Sequence, residues 1–72
     1  MQERYKGHII LVTTGHPNDT NRWTPTCRIK FTDGSRELTK DLEWELSYET
    51  PEEAERVGLL VSKKWIDAGK RN

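Results

Sequence analysis

The chain has 72 residues, with 12 Lys/Arg balanced by 12 Asp/Glu and only 32% apolar residues. That length supports one domain, residues 1–72, with a core small enough that self-association or a partner is expected. Zero net charge argues against a general nucleic-acid binder, and the longest apolar run, Ile9-Ile10-Leu11-Val12, is too short to cross a bilayer.

The balance hides an asymmetry. Residues 1–36 carry six Lys/Arg and three Asp/Glu, whereas residues 37–72 carry six and nine. A local basic patch is therefore compatible with the whole. The single cysteine, Cys27, has no partner for an internal disulfide. With no leader-like or spanning segment, the simplest setting is a reducing, cytoplasmic one.

In chain order, Met1–Lys6 reads as a polar lead-in from which Tyr5 packs. His8-Ile9-Ile10-Leu11-Val12-Thr13 is β-branched and continuous, predicting a strand over about 7–14. The segment Thr14–Asn21 is dense in turn formers. From Trp23 the pattern alternates strictly: Trp23, Pro25, Cys27, Ile29 and Phe31 on one face, Thr24, Thr26, Arg28, Lys30 and Thr32 on the other. This predicts a half-buried strand over about 22–32, with Pro25 at an edge or a bulge.

Asp33-Gly34 is a two-residue hairpin signal. Used as the turn, it sets Thr32 opposite Ser35, Lys30 opposite Glu37 and Ile29 opposite Leu38. A third strand follows over about 36–46. Leu38, Leu42, Trp44 and Leu46 share one face, and Glu37, Thr39, Asp41, Glu43 and Glu45 the other. Lys40 interrupts the apolar row, which calls for a bulge or a snorkelling side chain.

The last third is a helix over about 51–68 with both ends marked. Thr50 caps it, Pro51 occupies a position that needs no N–H, and Glu53 completes a capping box. Tyr48 is placed as a staple near its start. Gly69 supplies the stop, with Lys63, Lys64, Lys70 and Arg71 near the negative end of the dipole. Ala54, Val57, Gly58, Val61, Trp65 and Ala68 form the stripe facing the sheet. Leu59 and Ile66 lie together on one flank, and Leu60 on the other side. The expected fold is α+β: a three-stranded antiparallel meander, order 1-2-3, with the helix across one face.

The first strand offers apolar residues to both of its faces, where a sheet covered by one helix needs only one. Its surplus row, Ile9 and Leu11, together with Leu59 and Ile66, is the candidate partner interface, for self-association or for another protein. The alternative is internal cover by Tyr5, the 14–21 loop or the tryptophans. A second candidate is nucleic-acid contact through Arg22, Arg28, Lys30 and Arg36 around the outer face of the second strand. Glu37, Asp41, Glu43 and Glu45 share that side and would repel phosphates. His8, His16 and Cys27 are the only soft metal ligands and lack metal-site spacing. No acid–base pair falls within one element, so no metal site, cofactor or enzymatic activity is expected.

Tyr5-Lys6-Gly7-His8-Ile9-Ile10, the charged hairpin, Tyr48-Glu49-Thr50-Pro51-Glu52-Glu53-Ala54 and Lys64-Trp65-Ile66-Asp67 together resemble small bacterial strand-strand-strand-helix domains, the HlyU-like group among them. That group is associated by name with transcriptional regulation, and the matching motifs mark the fold and carry over no functional residue. The chain is also similar to the arm-type DNA-binding domains of tyrosine integrases. That resemblance implies DNA reading by basic sheet residues, a role for which Arg28 and Lys30 are the matching positions and from which the acidic third strand departs.

Overall fold

A computed structural model describes residues 1–42, 44 and 46–69. It is an α+β fold. Strands β1 (Gln2–Tyr5), β2 (His8–Thr13), β3 (Thr26–Asp33) and β4 (Arg36–Leu42) form one antiparallel sheet in the order β1-β2-β3-β4. Helix α1 (Pro51–Asp67) packs on one face, mainly against β2 and β3.

Among the described residues the meander therefore has four strands where the sequence predicts three. The segment read as a polar lead-in is β1, paired with β2 from Gln2↔Leu11 to Tyr5↔His8. Its connection is the pair Lys6-Gly7, both at positive φ (49° and 78°), the conformation of a tight primed hairpin turn. Val12 N–H donates to the Met1 carbonyl at 2.9 Å, extending the ladder by one residue.

The β3–β4 hairpin also differs from expectation. Its two-residue loop is Gly34-Ser35, with Gly34 at φ 67° and Asp33 paired to Arg36. Thr32 thus faces Glu37, Phe31 faces Leu38, Lys30 faces Thr39 and Ile29 faces Lys40. The expected Lys30–Glu37 and Ile29–Leu38 pairs are each displaced by two residues. A two-residue shift leaves every side chain on its assigned face, so the core survives the change of register.

The expected strands also contract at their ends. Trp23 and Tyr48 exchange two 2.7 Å backbone hydrogen bonds as an isolated bridge, so Trp23 lies beside the sheet and Tyr48 closes that bridge ahead of the helix. The described β4 ends at Leu42, and Leu46, expected on the core face, is 66% exposed. Glu43, Glu45, Lys70 and Arg71 lie outside the described residues.

The core lies between the inner sheet face and α1. Ile10 and Val12 from β2, Cys27, Ile29 and Phe31 from β3, and Ile66 from α1 form it, flanked by Tyr5, Leu38, Leu42, Trp44, Leu59 and Trp65. Each fully buried aliphatic side chain contributes about 1.5–3 kcal/mol relative to exposure. Lys40, half-buried on β4, occupies the inner row opposite Ile29, which accounts for the break in that strand's apolar pattern. Trp44 packs at the same side, its indole N–H buried without an acceptor among the described residues.

The helix begins with half of the expected capping box: Thr50 Oγ1 accepts from Glu53 N–H at 3.1 Å, with Pro51 in the first turn, and no return bond from the Glu53 side chain to Thr50 N–H is present among the described residues. Gly69 follows the last turn at φ 71° and donates to the Ile66 carbonyl. The buried stripe is Ala54, Gly58, Ser62 and Ile66, four residues apart, with Val57, Val61 and Trp65 half-buried beside it and Ala68 exposed. Ser62 at the centre of that stripe is a polar residue made compatible with burial by donating to the Gly58 carbonyl at 2.8 Å. Gly58 brings the helix down onto Cys27, Pro25 and Val12.

Candidate functional site

Among the described residues one helix covers one face, so the other face of the sheet stays open. Alternation decides what it presents. The register aligns two rows across it: Gln2, Leu11, Arg28 and Asp41, and next to it Arg4, Ile9, Lys30 and Thr39. Ile9 and Leu11 are half-buried, sheltered by their long polar neighbours. Ile9 is flanked by Arg4 and Lys30, and Leu11 by Gln2 and Arg28.

Besides a smaller hollow of about 180 Å³ beside Arg4, Gly7, His8 and Ile9, two shallow depressions open on this side. One, of about 250 Å³, lies around Ile9, Lys30, Thr32 and Glu37 at the Gly7 end. The other, of about 260 Å³, lies among Leu11, Thr13, Thr26 and Arg28.

The cations differ in their freedom. Arg28 Nε donates to Asp41 Oδ1 at 2.7 Å, with Nη2 3.4 Å from Oδ2. That hydrogen bond and the attraction behind it raise the guanidinium pKa and hold the Asp41 carboxyl below its ordinary range. Arg4 and Lys30 form no ion pair among the described residues.

The four residues expected to form one apolar interface divide between the two faces. Ile9 and Leu11 are on the open face. Ile66 is 8% exposed within the core, and Leu59 packs against that core from the helix. Ile66 is drawn inward because the stripe is centred on Gly58 and Ser62, so its expected place on an outer flank is corrected. Of the exposed apolar residues, Leu60 stands on the helix, 52% exposed, away from the sheet.

The four cations of the nucleic-acid alternative disperse likewise. Arg22 Nε donates to Ser47 Oγ at 3.0 Å and Nη2 to the Ser47 carbonyl at 2.8 Å, tying the long loop to the segment before the helix. Arg28 is engaged by Asp41. Arg36 stands at the hairpin tip opposite Asp33, leaving Arg28 and Lys30 together on the open sheet face. Arg4 is the residue that sequence reasoning passed over. The one local signal for it is the turn pair Lys6-Gly7, since Gln2, Glu3 and Arg4 are all polar and show no alternation.

The soft ligands do not converge. Cys27 is buried under Gly58, and burial pushes its thiol pKa up, against a smaller opposing hydrogen bond with Ser62. His8 is on the inner side, its Nδ1 2.9 Å from the Lys6 carbonyl and its ring 5.2 Å from Phe31. His16 is exposed in the loop. Among the described residues no group of three His, Cys, Asp or Glu could hold a metal ion, and no helix is long and apolar enough to cross a membrane. Comparison with known proteins gives no match: no family model, curated protein or solved structure is similar to this chain.

Proposed function

We propose that this chain is a non-enzymatic interaction module that docks a protein through the open face of its sheet. The supporting observation is the pair Ile9 and Leu11 on a face the helix leaves bare, set between cations of which Arg4 and Lys30 lack counter-ions among the described residues. Neither side chain belongs to the buried core. Apolar residues collected at the middle of a polar face are characteristic of a contact surface.

The nucleic-acid alternative retains less support. Phosphate affinity rests on free cations, and Arg22 and Arg28 are committed elsewhere. Glu37 and Asp41 stand on the same side as Lys30.

Site-specific photo-crosslinking in cells tests the reading. A photoreactive residue at position 11 or 30 should give discrete protein adducts that survive nuclease, while the same residue at exposed position 60 on the helix should give none of them. Adducts that vanish with nuclease, or equal labelling from position 60, would refute it.

A further inference from the structure

Resting on that reading, we infer that the occupant of the open face is an acidic amphipathic helix of another protein, lying along β2. Ile9 and Leu11 are two residues apart on one strand, about 6.7 Å. The i and i+4 side chains of a helix repeat at about 6 Å, so one apolar stripe meets both. Arg4 and Lys30 stand on the strands either side of Ile9, and two strand spacings separate them by about 10 Å. A helix is about 10 Å wide, so its two flanks fall over β1 and β3 together. Carboxylates on those flanks reach Arg4 on one side and Lys30 on the other, while Glu37 and Asp41, one strand further out on β4, lie outside the footprint of a helix centred on β2. The depressions beside Ile9 and Leu11 receive the apolar side chains.

A second copy of this chain fits poorly. Packing two open faces about a two-fold axis along β2 sets Arg4 of one molecule on Lys30 of the other. Moving the axis between β2 and β3 sets Ile9 under Lys30 and Leu11 under Arg28, and turning it across the strands, which stacks Ile9 on Leu11, sets Lys30 on Arg28. The chain's own helix has its apolar stripe buried on the sheet. A nucleic acid would gain little from Ile9 and Leu11, and the two rows that hold them contain no aromatic ring for base stacking.

The test is a titration of isotope-labelled protein, followed by amide chemical shifts. Three probes are used: a synthetic helical peptide with leucines on one stripe and glutamates on both flanks, its lysine counterpart, and a short single-stranded oligonucleotide. The glutamate peptide should bind with shifts centred on Arg4, Ile9, Leu11 and Lys30. Arg4→Glu with Lys30→Glu should weaken it by at least about tenfold and transfer preference to the lysine peptide. Ile9→Glu should weaken the glutamate peptide while the Glu53 amide, reporting the helix cap, keeps its position.

Equal binding of both peptides, binding of the oligonucleotide alone, shifts confined to α1 or β4, or no binding would each overturn the assignment. Concentration-dependent shifts at Ile9 and Leu11 without any probe would overturn it in favour of a second copy. If position 11 still crosslinks to protein while the glutamate peptide fails to bind, the acidic helix is wrong and protein docking stands. Loss of both removes the docking reading as well.

Discussion

At the scale of single residues, the tightest constraint is the approach of Gly58 to β3. A Cβ at this position would lie 2.9 Å from Cys27 Sγ and 3.1 Å from both Pro25 Cβ and Val12 Cγ1. Overpacking of this kind costs about 1–3 kcal/mol, against which alanine returns up to about 1 kcal/mol of helix propensity. Gly58→Ala should therefore lower stability in urea unfolding. Cys27→Ala alone should also destabilise, by opening a small cavity. Combined, the two should cost less than the sum of the singles, because the deleted sulfur vacates the space the new methyl needs. A strictly additive double mutant would show that the side-chain contacts to Pro25 and Val12, rather than the thiol, set the fit. Cys27 is thus explained as a small core residue, as its place in the alternation implies. Ser62 could not be read the same way. A serine looks like a surface residue until its hydroxyl is seen to turn back onto the Gly58 carbonyl, and this displaced the expected helix stripe and sent Ile66 to the wrong side.

At the scale of elements, legibility follows how local the determining chemistry is. The helix was readable from end to end because its caps are written in adjacent residues. Thr50→Ala should remove the bond to Glu53 N–H and cost about 1 kcal/mol, measurable as a lower urea midpoint with an unchanged slope. Strand β3 was readable because its alternation is unbroken. Strand β1 was not, because Gln2, Glu3 and Arg4 are polar and only Tyr5 is apolar. Its existence depends on a turn at Lys6-Gly7 and on packing against residues more than sixty positions away. Gly7→Ala tests that dependence: at φ 78° an alanine costs about 1–2 kcal/mol. The loss should appear in faster amide exchange of Val12, which donates to Met1, with the helix amides less affected. The hairpin register was misread for a related reason. Asp33-Gly34 and Gly34-Ser35 are both acceptable turn pairs, and the choice is made by contacts further along, including the Arg28–Asp41 pair. The candidate site suffered most, since it is assembled from three strands and its Arg4 lies on the strand that was missed.

At the scale of the whole molecule, β1 is tied to the end of the helix. Asp67 accepts from Lys6 Nζ at 2.6 Å and from Tyr5 Oη at 3.0 Å to each carboxylate oxygen, while Lys63 pairs with Glu3 at 2.6 Å. The Lys6 and Tyr5 hydrogen bonds hold the Asp67 carboxyl below its ordinary value, and the same contact raises Lys6. A depressed carboxyl contributes stability that is complete above its unfolded-state value near 3.8 and is lost as pH falls through the folded value. Lys6, raised above 10.5, contributes up to that pH and loses its part in stronger alkali. Asp67→Asn should therefore flatten the acid limb of the stability–pH curve below about pH 4, with little change in its shape near neutrality. Urea midpoints collected between about pH 2.5 and 6 check this. An unaltered acid limb would mean that Asp41, held down by Arg28, accounts for it instead.

The strand order β1-β2-β3-β4 has a kinetic meaning. Every ladder joins strands consecutive in the chain, two of them through two-residue turns and the third through the loop 14–25, which places the sheet toward the local end of sheet topologies. The contacts of Asp67 with Tyr5 and Lys6 span nearly the whole chain and close its largest loop. They are suited to form after the rate-limiting step. Asp67→Ala should then leave the refolding rate nearly unchanged and quicken unfolding, the behaviour of a latch that sets how long the folded molecule lasts rather than how soon it appears.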